Sequence, residues 1–251
     1  ASAAYFEGAA DLASTLCERG LAHSPHNAQL LHLQGLLLLG KGELQNATHS
    51  IRQAIVQQPN QTEFYNSLGV VLKEDGRVFE AISAYQSALS IKPNYAEALN
   101  NLGDAYAENE QFALAESHFR RAIAFNRVYA DAHYNLGNVL KEMGRLEEAV
   151  SQFDRCLEIE ESHSGAHWNR SLALLLAGSY QEGWPGYEWR FRQPEFPSAR
   201  LMPAPLWEGE SLEEKRLLIH AEQGLGDTLQ FVRFIRPLLG QAAQVILECS
   251  S

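Results

Sequence analysis

Ala96-Glu-Ala-Leu-Asn-Asn-Leu-Gly-Asp-Ala-Tyr106, followed by Ala115, Phe119 and Ala122, is the stretch that decides the fold. Ala98, Leu99, Leu102, Ala105 and Tyr106 recur at helical spacing, and Ala115, Phe119, Ala122 and Ile123 do so again, which predicts two amphipathic helices. Gly103 returns every 34 residues as Gly35, Gly69 and Gly137, and Ala115 returns in step as Ala47, Ala81 and Ala149. A fixed period of this length, with apolar residues in phase, predicts an array of helical pairs.

Each pair has a break at its centre: Gly40-Lys41-Gly42, Asp75-Gly76, Asn109-Glu110 or Met143-Gly144. Glycine supplies a left-handed residue there and ends the first helix. Glu110 fills the gap in the series Gly42, Gly76, Gly144, Gly178, and Asn109 is expected to take the left-handed conformation in its place. Pro25, Pro59 and Pro93 stand between pairs, where one helix must stop and another start. Close approach of the two helices of a pair calls for small residues, so Gly69 is expected to face Ala81, and Gly103 to face Ala115. Ile51, Tyr85, Phe119 and Phe153 then fill the space toward the next pair. One pair cannot cover its own apolar face, so neighbours stack into a continuous core.

The third pair resembles a tetratricopeptide repeat, and the likeness recurs in phase over residues 28–161. Gln34, Arg127 and Glu161 depart from the pattern, the last two by replacing the proline between repeats. The resemblance implies an all-α fold, a helical-pair solenoid wound as a right-handed superhelix, with a short β-α-β fragment at the C-terminus. The expected division is a partial repeat over 1–27 and a solenoid over 28–192, with repeats near 28–61, 62–95, 96–129, 130–163 and 164–192. A proline- and aromatic-rich strap follows over 193–215, then an incomplete doubly wound unit over 216–251. Ala9–His23 reads as a second helix with an unpartnered face exposing Leu12 and Leu16, a surface for capping or self-association. In the last repeat Ser171 occupies the glycine position, and Pro185 predicts that the helix Tyr180–Phe191 is kinked or starts late.

In arrays of this kind the first helices line an inner groove. The residues expected on it are Asn66, Asn100, Asn101, Asp104, Asn135, Asn138 and Asn169. An asparagine amide both donates and accepts, so a row of them suits the backbone of an extended peptide. Asn101, Asn135 and Asn169 keep the 34-residue period and resemble the asparagine ladder of O-linked N-acetylglucosamine transferases. The alternative is that asparagine is a soluble residue on an exposed helix face. Acidic and apolar residues at Glu63, Val70, Glu97 and Asp104 oppose capture of an acidic C-terminus and favour neutral or basic segments.

A net charge of −11 and the lack of a basic run argue against a nucleic-acid partner. No apolar run reaches membrane-spanning length, and no signal peptide is recognised. Cys17, Cys156 and Cys249 are too far apart for a disulfide framework or metal spacing, which favours a reducing, cytoplasmic setting. His133 and His167 share a register position where a bulky residue packs, His32 lies one position later toward the groove, and His49 sits on a second helix. No metal and no cofactor are expected, and the expected partner is a protein or peptide.

After Phe191 the pattern changes. Pro194, Pro197, Pro203 and Pro205 mark a strap, and Trp184, Tyr187, Trp189, Phe191, Phe196 and Trp207 are expected to pack it on the last repeat. Arg216–Glu222 reads as a buried strand, Thr228–Leu239 as a helix and Gln244–Cys249 as a second strand, joined by a loop with Gly224, Gly226 and Asp227. That loop lacks the third glycine of a dinucleotide site and the Lys-Ser/Thr of an ATPase loop, yet a helix N-terminus opened by glycines receives phosphate or a sugar hydroxyl. Trp184-Pro-Gly-Tyr-Glu-Trp-Arg190 and Ala221-Glu-Gln-Gly-Leu-Gly-Asp-Thr-Leu-Gln-Phe231 resemble a bacterial family that fuses such an array to a heptosyltransferase-like domain. The resemblance implies that Asp227 matches the base proposed to deprotonate the acceptor; its other reading is an N-cap. Two strands and a helix do not make a two-domain transferase, so no catalytic residue and no transferase activity are expected of these 251 residues. The functional expectations are a peptide- or partner-binding scaffold, the acceptor-recognition region of a glycosyltransferase, or a self-assembling array.

Overall fold

The computed structural model describes residues 10–192, 207, 209–220 and 232–248. They fall in two units, Ala1–Ser198 and Ala199–Ser251.

The first unit is a run of antiparallel helices. A single helix α1 (Ala10–His23) leads into five pairs: α2 and α3 (Ala28–Gly40, Leu44–Gln57), α4 and α5 (Thr62–Glu74, Val78–Ile91), α6 and α7 (Ala96–Glu108, Phe112–Phe125), α8 and α9 (Ala130–Glu142, Leu146–Ile159), α10 and α11 (Ser164–Leu176, Tyr180–Tyr187). We call the first helix of each pair A and the second B. Helix α2 is capped by Asn27, whose side chain accepts from the Leu30 N–H at 3.1 Å. His163 caps α10 by accepting from the Ala166 N–H. The turn inside each pair is closed by a backbone hydrogen bond reaching back five residues, such as Arg77 N–H to Leu72 O and Gln111 N–H to Tyr106 O, around one left-handed residue. That residue is glycine at 42, 76, 144 and 178, but at the gap it is Glu110, with φ 57°, and not Asn109, whose φ is −90°. The geometry belongs to a turn position, and the residue standing there adopts it whatever its type.

The packing inside a pair differs from expectation. Ala47, Ala81, Ala115 and Ala149 are fully buried, but the atoms nearest the glycines belong to large side chains, with the Ala47 carbonyl also close to Gly35. Each glycine is the seat for the large residue sixteen positions on. A methyl group added at Gly69, Gly103 or Gly137 would collide with the ring of Tyr85, Phe119 or Phe153, and one at Gly35 with Ile51. The large residues thus fill the pair's own interior, over the glycine. In the last pair Ser171 replaces the glycine; its hydroxyl donates to the Gly183 carbonyl at 2.9 Å, and Gly186 leaves the room beside it. Helix α11 starts on time at Tyr180 and stops early at Tyr187, two residues past Pro185, passing into a 3-10 turn over Glu188–Arg192.

Consecutive A helices come within reach of one another along the array, while consecutive B helices lie farther apart and are linked by long side chains such as Arg52 to Glu80 at 3.2 Å. The A helices therefore line the inside of the curve. No helix among the described residues is long and apolar enough to cross a membrane.

The second unit holds β1 (Arg216–His220) paired in parallel with β2 (Gln244–Glu248), Leu217 opposite Val245 and Leu218 opposite Ile246. Parallel pairing requires a crossover between the strands. Its described part, Val232–Leu238, is a 3-10 turn carrying Pro237, where an α-helix was expected; proline has no N–H for the α ladder. Leu217 is buried, whereas Leu218, Ile246 and Leu247 are exposed, so the strand expected to be buried is covered on one side. Most of the 193–215 strap, Gly224, Gly226, Asp227 and the start of the crossover lie outside the described residues.

Candidate functional site: the inner face of the array

The inner face carries a continuous row of polar side chains, one rung per step. His32 Nε2 meets Ser67 Oγ at 2.8 Å, and Asn101 donates to Asn66 at 3.0 Å. Asn135 donates to Asn100 at 3.2 Å, and Asn169 donates to the Tyr134 hydroxyl at 3.1 Å. Each rung joins a residue to one 35 positions on, so it runs from one A helix to the next, and together the rungs tie five A helices. Asn100 is buried, with 6% exposure; Asn66, Asn101, Asp104, Asn135, Asn138 and Asn169 are half-buried. None is a freely solvated surface residue.

The rungs use half of each amide. Asn101 and Asn135 donate through Nδ2 and keep Oδ1, while Asn66 and Asn100 accept and keep Nδ2. Asn169 is engaged at both ends, since Lys141 Nζ donates to its Oδ1 at 2.9 Å. Asp104 is ion-paired with Lys73. Asn138 Oδ1 is buried and has no hydrogen-bond partner among the described residues. Lys73, Lys141, Ser67 and Tyr134 join this network although they were not among the residues expected on the groove. Lys73 and Lys141 share one register position two repeats apart, and that recurrence was the available signal.

Burial holds the His32 imidazole below its ordinary pKa, with Glu63 opposing, so its rung is formed by the neutral ring. At the last pair and the 3-10 turn that follows it, His167 stacks on Trp189 at 3.8 Å, Arg192 lies 4.1 Å over Trp189, and Trp168 packs on Tyr187. Leu12 is exposed at the opposite end and Leu16 is half-buried.

Tetratricopeptide-repeat profiles match residues 61–127 and 130–163. The helical pairs over those residues are tetratricopeptide repeats. The array is similar in fold to the crystal structure of PilW, described as a widely conserved type IV pilus biogenesis factor. The TM-score is 0.71 at 22% identity, covering 79% of this chain and 91% of that one. It is similar to TTC0263, a tetratricopeptide-repeat protein of Thermus thermophilus, with a TM-score of 0.58 at 25% identity over 68% and 93% of the two chains. YrrB, described as having an unusual peptide-binding site, matches with a TM-score of 0.55 at 22% identity over 71% and 93%. Among curated proteins, FlbA of Caulobacter vibrioides is 41% identical over 63 residues, which are 25% of this chain and 11% of that protein. The match thus spans about a tenth of the curated relative.

Proposed function

We propose that the chain is a protein-interaction scaffold whose tetratricopeptide array holds an extended peptide or partner segment along its inner face. The observation that carries this reading is the half-used amide ladder. Asn101 and Asn135 offer carbonyl oxygens, Asn66 and Asn100 offer amide hydrogens, and rungs between helices hold all four in place. Alternating donors and acceptors on a fixed track match the backbone of an extended chain, which presents the same alternation. Because Lys73 is paired with Asp104, the track does not offer that lysine to a carboxylate tail, and neutral or basic segments suit it.

The test is selection from a random peptide display library, followed by titration of an enriched peptide against wild type and an Asn101→Ala, Asn135→Ala variant. Losing one rung at each position costs about 1 kcal/mol of stability, which circular dichroism reads separately. Weakened binding by a folded variant supports the ladder; undiminished binding, or no enrichment from the library, overturns it.

The parallel pairing of β1 with β2 favours a second reading, in which the array selects acceptors for a glycosyltransferase. On that reading Gly224, Gly226 and Asp227 form the sugar- or phosphate-facing loop of a parent protein longer than this chain.

A further inference from the structure

The outer side of the array holds a cleft of about 490 Å³ between the B helices α7 and α9, with α8 beneath. Its floor is apolar, made by Ile123, Ala124 and Leu136. Arg120, Arg127 and Arg155 stand around that floor, with Ser151, Gln152 and His133 completing the wall. No carboxylate lines it, in a chain of net charge −11.

The repeat itself supplies the control. At the positions of Arg120, Arg127 and Arg155, the preceding gap has Gln86, Pro93 and Arg121, and the one before it Arg52, Pro59 and Ser87. The following gap has Asp154, Glu161 and Trp189. Three cations converge in one gap only. Arg127 takes the place of the proline here and His133 the place of Leu99; the next gap makes the same two departures with Glu161 and His167, each histidine meeting the carbonyl six residues before it, so what sets this gap apart is its arginines.

The guanidinium groups are not equally occupied. Arg120 holds Glu116 at 2.8 Å and Glu148 at 3.4 Å, and Arg155 holds Glu158 through Nη1. The Arg127 guanidinium has no partner among the described residues. His133, 6% exposed, fixes the wall: its Nδ1 meets Gln152 Oε1 at 2.9 Å, which leaves the Gln152 amide nitrogen to donate. Unused guanidinium N–H groups, an amide and a hydroxyl around an apolar floor form a rim dominated by donors. Arginine's planar fork matches phosphate oxygens two at a time. The volume falls in the range of small-molecule sites.

We propose that this cleft binds a small organic phosphate, its phosphate on Arg127, Arg155 and Arg120 and its organic part on Ile123 and Leu136. The site is separate from the inner face and does not depend on how that face is used.

The test uses residues that the repeat accepts elsewhere. Arg127→Pro restores the residue of three other junctions, and Arg155→Gln copies Gln53, so the fold is kept. Calorimetric titration uses inorganic phosphate, pyrophosphate, ADP and citrate as probes, with Arg52→Gln as a control in another gap. Pyrophosphate and ADP are expected to bind wild type and the Arg52→Gln control alike. Binding is expected to weaken about tenfold per arginine removed, with an unchanged melt. No binding by wild type at millimolar concentration, equal binding by the variants, or citrate binding as tightly as pyrophosphate would each overturn it.

Discussion

Replacing Gly69 with alanine separates the seat of a ring from an ordinary helical position. Gly69 lies inside α4, where alanine is favoured over glycine by about 1 kcal/mol. The new methyl would stand 2.6 Å from Cδ1 and 2.7 Å from Cζ of Tyr85, with Cε1 closer still. Ordinary carbon contacts are about 3.5–4.0 Å, so the ring must withdraw by about 1 Å. Tyr85 is 1% exposed, and a flat ring cannot shorten itself as a flexible chain end can. Overpacking of this kind costs about 1–3 kcal/mol, so the net expected loss is about 0–2 kcal/mol. In a Tyr85→Leu background the obstacle is gone, and Gly69→Ala should be neutral or stabilising by up to about 1 kcal/mol. The coupling between the two sites is then about 2 kcal/mol. Urea unfolding followed by circular dichroism measures the totals. Amide exchange in α4 and α5 keeps the assay valid, because a repeat array need not unfold in one step. Gly40→Ala, where nothing lies within 4 Å, serves as the unobstructed control. Stabilisation by Gly69→Ala in wild type, or the same shift in both backgrounds, would refute the ring-seat account.

Glu110→Gly should stabilise the array by about 1 kcal/mol, since it relieves a left-handed non-glycine residue at a turn whose counterparts are glycines; a lower urea midpoint would count against this. Burial pushes the Cys156 thiol up to about 12, with Glu160 and Asp131 adding to it, and burial likewise raises Cys17. In a Cys249→Ser variant at about pH 8, both thiols should therefore resist a disulfide reagent until urea unfolds the chain, and fast modification of folded protein would contradict it. Burial lowers the pKa of His32 against Glu63, and lowers that of His118 together with Arg121. Their folded values lie below the unfolded 6.5, so their contribution to stability is complete above that pH and is lost as pH falls through the folded values. The urea midpoint should drop between about pH 7.5 and 5.5, and a His32→Gln, His118→Gln variant should show a shallower drop; an equal slope would remove both histidines from the account.

The array was legible because stacking imposes one spatial offset on every pair, and a constant offset writes itself into the chain as a period. Gly69 and Ala81, read as small residues, pointed to close approach but not to what fills it. The answer was in the sequence as a second constant spacing, glycine to the large residue sixteen positions on, in Gly69–Tyr85, Gly103–Phe119 and Gly137–Phe153. Pro185 announced a disturbed helix but not its form, because proline's clash bears on the turn before it while the break came two residues after. Glu110 escaped for a similar reason: the turn dictates the backbone, and residue preference is the weaker influence.

The inner face shows the same difference more sharply. A search for a 34-residue repeat of asparagine finds Asn101, Asn135 and Asn169, yet the hydrogen bonds run between positions 35 apart, since each A helix reaches one residue further along its neighbour. At that offset asparagine is one of several residues that complete a rung, and His32–Ser67 and Tyr134–Asn169 do it with an imidazole and hydroxyls. What recurs along the groove is therefore a donor facing an acceptor, held at fixed spacing by the helices. A substitution that preserves the pair, such as Asn101→Gln, tests geometry, whereas Asn101→Ala removes both the rung and the carbonyl it presents. The glycines that set the period seat the rings that space the helices, and that spacing puts residues 35 apart within one hydrogen bond of each other.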